Sequence, residues 1–290
     1  DVDVIGCEVL NYKRITTDDR TKSPEYGYAF RCIDGTGIWV DRCVGVRIVG
    51  NRIADDRLLP TQEFAEAEGL GEVTARNETL GRLASHTVAR DGRVKNWHQG
   101  SAILVTAPRD TRDVTIERNT IHNAAQGIDI HADKVDIIGN VVDHAFMGVK
   151  VLHGSSDVRV TGNVLKAIDL WGILLGPGSA SGEGNVQTRI EVSGNIIADM
   201  GTGHEYWNWW EDDPNAHSPS ALRLNSPPLP ENPPMTDVSV TGNIVTSRNP
   251  KAPGYRWAAW IGYPELPDTW RFSDNLFTPG ASGISNVKLR

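Results

Sequence analysis

Four residues near the middle and end of the chain have side chains that could perform acid–base chemistry together: Asp129, His131, Lys150 and Arg223. An imidazole can accept a proton near neutral pH, and a carboxylate beside it can orient it. Lysine and arginine can neutralise a developing negative charge, and the guanidinium fork matches a carboxylate. Because Lys150 and Arg223 are distant from Asp129 in sequence, only the fold can bring the four together.

A short phrase that ends in asparagine recurs along the chain and predicts that fold. Seven copies are strand-like, with β-branched residues alternating with polar ones, and they end at Asn51, Asn119, Asn140, Asn163, Asn195, Asn243 and Asn275. The opening VDVIGC places Cys7 in the same slot and makes an eighth copy. Repeats of this length predict an all-β parallel β-helix of about eight coils, with two strands and turns per coil, in a single domain spanning 1–290.

The recurrent asparagine is expected to lie at an inward turn, where stacked amides can hydrogen-bond between coils about 4.8 Å apart. The alternative is that these asparagines only tolerate left-handed turn geometry. Both interpretations predict the same fold.

A second apolar strand follows most copies of the phrase, and its alternate residues must face the core. One outward row then reads Trp39, Leu104, Asp129, Lys150, Leu174, Arg223 and Trp260. The next outward row reads Asp41, Thr106, His131, Leu152, Gly176, Asn225 and Gly262. This register predicts that Asp129 and Lys150 lie about 4.8 Å apart and that His131 lies about 6.6 Å along the strand. Arg223 is expected roughly 10 Å from Lys150, and His153 is expected beside the cluster.

The connection between the two strands is short in the central coils and long at the ends of the helix. The insertions 52–101 and 196–220 therefore predict two walls beside a groove whose floor is formed by the second strands, and the first wall is expected to include a helix over 61–67. The second wall and the floor supply aromatic candidates for substrate binding, together with His153: Tyr206, Trp207, Trp209, Trp210 and Trp260. Amphipathic aromatics suit stacking on sugar rings, although those of the wall could instead pack inward to anchor the loop.

Charge and composition limit the other functions. The net charge of −8 argues against sequence-independent nucleic-acid binding, and no apolar run approaches the roughly 18 residues that a membrane span needs. The three cysteines lack metal-ligand spacing, which argues against zinc and leaves a Cys32–Cys43 bridge open. Aspartates before the first strands are turn residues, or alternatively ligands of a calcium ion; they are Asp110, Asp113, Asp133, Asp136 and Asp157. No cofactor is expected to be required. The chain begins within a repeat, so a preceding cap or leader is left open.

Over essentially its whole length the chain resembles the pectate-lyase-like superfamily of right-handed parallel β-helix proteins. The segment Gln126-Gly127-Ile128-Asp129-Ile130-His131 is similar to the Tyr-Gly-Phe-Asp-Pro-His segment of alginate C5-epimerases and related uronate lyases. The resemblance implies that Asp129 and His131 belong to a catalytic site. Here Gln126 replaces the tyrosine, Ile130 replaces the proline, and Leu152 stands where the following coil would have another aspartate.

These observations predict an extracellular or periplasmic enzyme that acts on a polysaccharide, by β-elimination or C5-epimerisation of a uronate-containing glycan. His131 is expected to be the base and Asp129 its orienting partner, with Lys150 and Arg223 neutralising the sugar carboxylate. Asp129 and Lys150 could instead form a simple cross-strand ion pair of little energetic weight. One alternative function is a glycoside hydrolase that pairs Asp129 with Glu205, Glu211 or Asp212. Another is a non-catalytic, glycan-binding solenoid.

Overall fold

The computed structural model describes residues 1–12, 14–17, 31–55, 100–177, 184–201, 219–225 and 232–290. These residues form strands and no helix, so nothing among them is long and apolar enough to cross a bilayer as a helix. In chain order the strands are β1 Val2–Ile5, β2 Glu8–Leu10, β3 Arg14–Thr17, β4 Arg31–Asp34, β5 Ile38–Asp41, β6 Val44–Val49, β7 Arg52–Ala54, β8 Ser101–Thr106, β9 Arg112–Glu117, β10 Thr120–Ile130, β11 Asp133–Ile138, β12 Val141–Val151, β13 Val158–Thr161, β14 Val164–Leu175, β15 Thr188–Ser193, β16 Ile196–Ala198, β17 Ser220–Leu224, β18 Thr236–Thr241, β19 Ile244–Thr246, β20 Trp257–Ile261, β21 Trp270–Ser273, β22 Leu276–Phe277 and β23 Gly283–Ser285.

The strands form three faces of a parallel β-helix. The first face contains the eight strands that precede the recurrent turn, in the order β1-β6-β9-β11-β13-β15-β18-β21. The second face contains β2, β7, the first parts of β10, β12 and β14, and then β16, β19 and β22. The third face contains β5, β8, the last parts of β10, β12 and β14, and then β17, β20 and β23. Strands β3 and β4 pair antiparallel outside these faces. The predicted eight-coil parallel β-helix is therefore confirmed.

The prediction of two strands per coil is confirmed in the central coils, where β10, β12 and β14 each run through two faces, and is wrong in the other coils, which contain a separate third strand. The short connections expected after Asn119, Asn140 and Asn163 begin with the second-face segments 120–122, 141–143 and 164–166, which pair in register. Each such segment has one inward apolar residue between two outward ones, and Ile121, Val142 and Leu165 are fully buried. A three-residue pattern of this kind is too short to be recognised by its periodicity.

The core is a continuous apolar column between the three faces. The inward residues predicted for the third face are at most 2% exposed: Ile103, Val105, Ile128, Ile130, Val149, Val151, Ile173, Leu175, Leu222 and Leu224. Burial of each such side chain contributes about 1.5–3 kcal/mol to folding. Because these residues point inward, their neighbours along each strand must point outward. The core thus determines where the side chains of the candidate site lie.

A ladder of asparagine amides connects the coils. The Nδ2 of Asn140 donates to Oδ1 of Asn163 at 3.0 Å and to the carbonyl of Ile116 at 2.9 Å, while its Oδ1 accepts from the backbone N–H and from Nδ2 of Asn119 at 2.9 Å. The same bonds recur from Asn51 to Asn275. The residue just before each asparagine, not the asparagine, has the positive φ, from 53° to 66°. The predicted ladder is confirmed, and the left-handed-turn alternative is wrong.

The small residues that begin the third-face strands are required by close packing between coils. A Cβ at Gly127 would lie 2.5 Å from the carbonyl oxygen of Gly148, and one at Gly172 would lie 2.6 Å from that of Ala221. The chain turns a corner here into the third face, and adjacent coils approach each other through backbone atoms.

Because Cys43 is a free thiol, the Cys32–Cys43 bridge that the sequence left open is not formed. Cys7 and Cys43 are free thiols, and Sγ of Cys43 lies 3.3 Å from the carbonyl oxygen of Asp41.

Candidate functional site

The outward row of the third face follows the predicted order. Asp129 pairs with Lys150 on one side and with Leu104 on the other. Beyond them the row continues through Leu174 and Arg223 to Trp260, and in the other direction it ends at Trp39. Residues from seven coils thus form one line along the helix axis.

An acid–base cluster, formed by Asp129, His131, Lys150, His153 and Gln126, lies in the middle of this row. Nζ of Lys150 donates to Oδ2 of Asp129 at 3.0 Å. The other carboxylate oxygen, Oδ1, lies 3.0 Å from Nε2 of His131. The imidazole N–H is not well aligned with that oxygen, because neither atom meets hydrogen-bond geometry. The contact between Oδ1 of Asp129 and Nε2 of His131 is therefore a close electrostatic contact and not a hydrogen bond.

The cluster is almost excluded from solvent. The side chains of Asp129, Lys150 and His131 are 7%, 12% and 17% exposed. By contrast, the Arg159–Asp136 pair, which also joins two neighbouring coils, is 57% and 29% exposed. The Asp129–Lys150 pair is thus a cross-strand ion pair that is largely shielded from solvent. Buried ion pairs contribute little net stability because desolvation offsets their attraction, and they are common at functional sites.

The electrostatics keep Asp129 ionised. Burial alone would raise the pKa of this carboxyl, but the Lys150 ammonium and His131 together outweigh it and hold the pKa well below its usual range. Asp129 is therefore an acceptor and a counter-charge, and it is poorly suited to donate a proton. Facing this carboxylate, His131 is favoured in the tautomer with its proton on Nε2, which leaves the lone pair on Nδ1.

His153 packs directly on His131 and lies in the cluster, as the sequence predicts. The two rings meet edge to face with centroids 4.1 Å apart. Burial lowers the pKa of His153 to about 3, repulsion from His131 and Lys150 acts in the same direction, and the Asp129 carboxylate opposes them. His153 is thus neutral at the pH where most proteins work.

Neutral His153 makes the fold sensitive to mild acid. An unfolded histidine binds a proton below about pH 6.5, whereas folded His153 does so only near pH 3. Since the unfolded chain binds the extra proton, the free energy of unfolding falls as the pH is lowered between these two values. In His153→Asn, asparagine tolerates the positive φ of 55°. We expect its free energy of unfolding to fall less steeply from pH 6.5 to 4, measured by urea midpoints.

The control is His144→Asn, since His144 is exposed and also has a positive φ, of 67°. Its pH dependence should parallel that of the wild type. Parallel curves for His153→Asn and wild type would show that burial of a neutral His153 has no energetic consequence.

Gln126 completes the cluster, although the sequence indicated no role for it. Its Oε1 accepts from Nζ of Lys150 at 2.9 Å and from Oγ of Ser101 at 3.2 Å, and Gln126 is buried. The Lys150 ammonium is therefore fixed by two acceptors. The alternation of inward and outward residues did not predict the contact between Gln126 and Lys150. The alternation is interrupted at Gly127, where the chain turns from the second face to the third.

Arg223 lies apart from the acid–base cluster. Leu174 separates it from Lys150 in the row, and the Arg223 guanidinium packs 3.9 Å from the ring centroid of Trp260 and 4.9 Å from that of Trp171. Its Nε donates to Oδ1 of Asn225 at 3.0 Å. Trp171, which the sequence did not indicate, thus joins the predicted Trp260 around this cation.

Several predicted residues lie outside the described part of the chain. They are the wall aromatics Tyr206, Trp207, Trp209 and Trp210, and the hydrolase candidates Glu205, Glu211 and Asp212. The walls 52–101 and 196–220 are described only at their ends, and the helix over 61–67 is outside as well. All of these stay predictions.

The first-face aspartates pair with cations of neighbouring coils. Asp136 binds Arg159 through two bonds of 2.6 Å, and Asp157 binds Arg189 through bonds of 2.6 and 2.7 Å. Asp133 accepts from the backbone N–H of Ser156 at 2.8 Å. In the described ranges no three acidic, histidine or cysteine side chains converge as a metal site would require. The calcium alternative stays an untested prediction.

The fold and the cluster define a class of protein: an all-β right-handed parallel β-helix with a buried acid–base cluster on its third face. A family model described as the right-handed beta helix region matches residues 28–165. Among curated proteins, none matches the chain.

Two solved structures are similar to the chain, each with a TM-score below 0.5. One is the tailspike protein of Acinetobacter baumannii phage AM24, with a TM-score of 0.37 and 12% identity over 99% of this chain; the chain spans 45% of the tailspike's length. The other is a DFA-IIIase from Arthrobacter chlorophenolicus A6, solved as a mutant in complex with DFA-III, with a TM-score of 0.28 and 13% identity over 99% of this chain and 85% of that one. Likeness at this level concerns the fold alone.

Proposed function

We propose that the protein is a carbohydrate-active enzyme that acts on a uronate-containing polysaccharide, by β-elimination or C5-epimerisation. The supporting observation is the buried Asp129–Lys150 pair with His131 against the same carboxylate. Carbohydrate substrates of this kind have an acidic C–H next to a carboxylate, and the cluster contains the base and the cation that such a site needs.

In the first step His131 accepts the C5 proton of the sugar. Asp129 faces Nε2 of His131 at 3.0 Å, so it stabilises the imidazolium as the proton arrives. The electron pair of the broken C–H bond moves toward the sugar carboxylate, which gains negative charge. The Lys150 ammonium, held by Asp129 and Gln126, is the cation that neutralises it.

Elimination and epimerisation diverge from this intermediate. In elimination the electron pair forms a C4–C5 double bond, the C4–O bond breaks, and the leaving oxygen takes the proton from the imidazolium. In epimerisation C5 takes a proton from a water molecule on its opposite face, the resulting hydroxide takes the proton of the imidazolium, and no C–O bond breaks. Neither route needs an oxidant, and neither needs a cofactor in this scheme.

Hydrolysis is the alternative, and it assigns Asp129 a different task. A glycosidase needs two carboxyl groups about 5 to 9.5 Å apart, one of which donates a proton. Asp129 is ionised and bound by Lys150, so the donor would be Glu205, Glu211 or Asp212. An ionised Asp129 is compatible with the base or nucleophile of a hydrolase as well as with the elimination scheme, so the reaction products distinguish the two.

A polysaccharide panel tests the proposal. The protein is incubated with alginate, polygalacturonate, a glycosaminoglycan and a neutral arabinan, with and without added calcium. A lyase produces an unsaturated sugar that absorbs in the ultraviolet, and an epimerase exchanges the C5 hydrogen for deuterium in D2O. A hydrolase produces reducing ends without that absorbance. Absence of both absorbance and C5 exchange on every uronate polymer would refute the proposal.

The proposed substrate also determines the proposed location and partner of the protein. A polysaccharide is encountered outside the cytoplasm, so we place the protein in the extracellular or periplasmic space. The partner is the glycan itself, not a nucleic acid.

A further inference from the structure

Trp39 is exposed at the end of the outward row of the third face. Its side chain is 67% exposed, and it is the sole aromatic among the large hydrophobic residues exposed in the described ranges. It pairs with Leu104, which pairs with Asp129. Trp39 therefore lies two coils from Asp129, about 10 Å along the helix axis.

The rest of the row is better covered than Trp39. Leu174 and Arg223 are each 3% exposed, and Leu104 and Trp260 are of intermediate exposure. An indole left in water keeps a large, flat apolar face available for stacking on a ligand.

Polar residues lie near Trp39 along its strand and on the neighbouring coil. Asp41 follows Trp39 by two residues on the same outward side and pairs with Thr106 of the next coil. The Asp41 carboxylate binds the exposed Arg42 guanidinium at 2.8 Å. A flat apolar ring with hydrogen-bonding groups at its edge matches a pyranose, which has C–H groups on its faces and hydroxyls at its rim.

We propose that Trp39 is a distal subsite that stacks on a pyranose ring of the glycan whose reacting unit lies at the acid–base cluster. This inference rests on the proposed function for the identity of the glycan. Since the row is parallel to the helix axis, the polysaccharide runs across the strands. About 10 Å separates Trp39 from Asp129, which is close to the length of a disaccharide, so the subsite is reached only by longer oligosaccharides.

The test uses Trp39→Ala and a matched control, Leu276→Ala. Leu276 is 68% exposed and lies on the second face, away from the row. Each protein migrates through native gels that contain alginate, polygalacturonate or a glycosaminoglycan. We expect Trp39→Ala to lose about tenfold in affinity for the gel that retards the wild type, while Leu276→Ala migrates as the wild type does. Both side chains are exposed, so urea midpoints should be unchanged.

Chain length gives the second readout. Where the wild type cleaves or epimerises a polymer, Trp39→Ala should raise KM about tenfold for a hexasaccharide and leave KM for a disaccharide unchanged. Equal effects at both lengths would overturn the subsite, as would normal retardation of Trp39→Ala or no retardation of the wild type in any gel. Retardation that depends on Trp39, without turnover, would support the subsite and refute the proposed function.

Discussion

Replacement of His131 by alanine is expected to lower kcat/KM about a hundredfold or more, because it removes the general base of the proposed reaction. The imidazole is the one proton acceptor in the acid–base cluster that directly faces the ionised Asp129, and His153 is held neutral behind it. Initial rates on the polymer identified in the panel measure the effect, and urea unfolding verifies that the fold is intact.

The control is His122→Ala. His122 is 51% exposed and lies 3.6 Å from Asp143 on the second face, so it has a carboxylate neighbour but no place in the cluster. Its rates should remain close to those of the wild type. Near-normal turnover by His131→Ala would require another base and would reject the assignment.

Replacement of Lys150 by methionine should lower the free energy of unfolding by about 3–5 kcal/mol, because it leaves a buried carboxylate without its cation. Asp129 is 7% exposed and would retain only the His131 contact. The matched control is Arg159→Met, which breaks an ion pair between neighbouring coils on the exposed first face. Its cost should be at most about 1 kcal/mol. Urea unfolding measures both.

The double variant Asp129→Asn/Lys150→Met separates stability from function. With both charges removed, no unpaired ion is buried, so most of the lost stability should return. Turnover should not return, since the base loses its partner and the sugar carboxylate loses its cation. A double variant as unstable as Lys150→Met would show that lost packing, not charge, causes the destabilisation.

The sequence predicted the line of outward residues because strand alternation is strict. Once Ile128 and Ile130 are assigned to the core, Asp129 must point outward, and the repeat places Lys150 beside it. The same logic failed where alternation stops. Gln126 precedes Gly127 at the corner, and Trp171 follows an irregularity in the pairing of β12 with β14. The direction of neither side chain therefore follows from the alternation of inward and outward residues.

Burial of the cluster could not be predicted from the pattern. Outward positions on a solenoid normally face water, and nothing in the order of residues distinguishes Asp129 from Asp136, which lies on the exposed first face. The sequence likewise placed Arg223 near Lys150, but the pattern did not indicate that Trp171 and Trp260 would pack against its guanidinium.

The asparagine ladder has a consequence for how such proteins diversify. Its partners are separated by as few as 21 residues, from Asn119 to Asn140, and by as many as 68, from Asn51 to Asn119. The amide bonds have the same length of 2.9 Å in both cases. Each rung is thus specified locally, whatever length of chain is inserted elsewhere in the coil. Natural variation can therefore exchange the inserted segments while the scaffold remains unchanged.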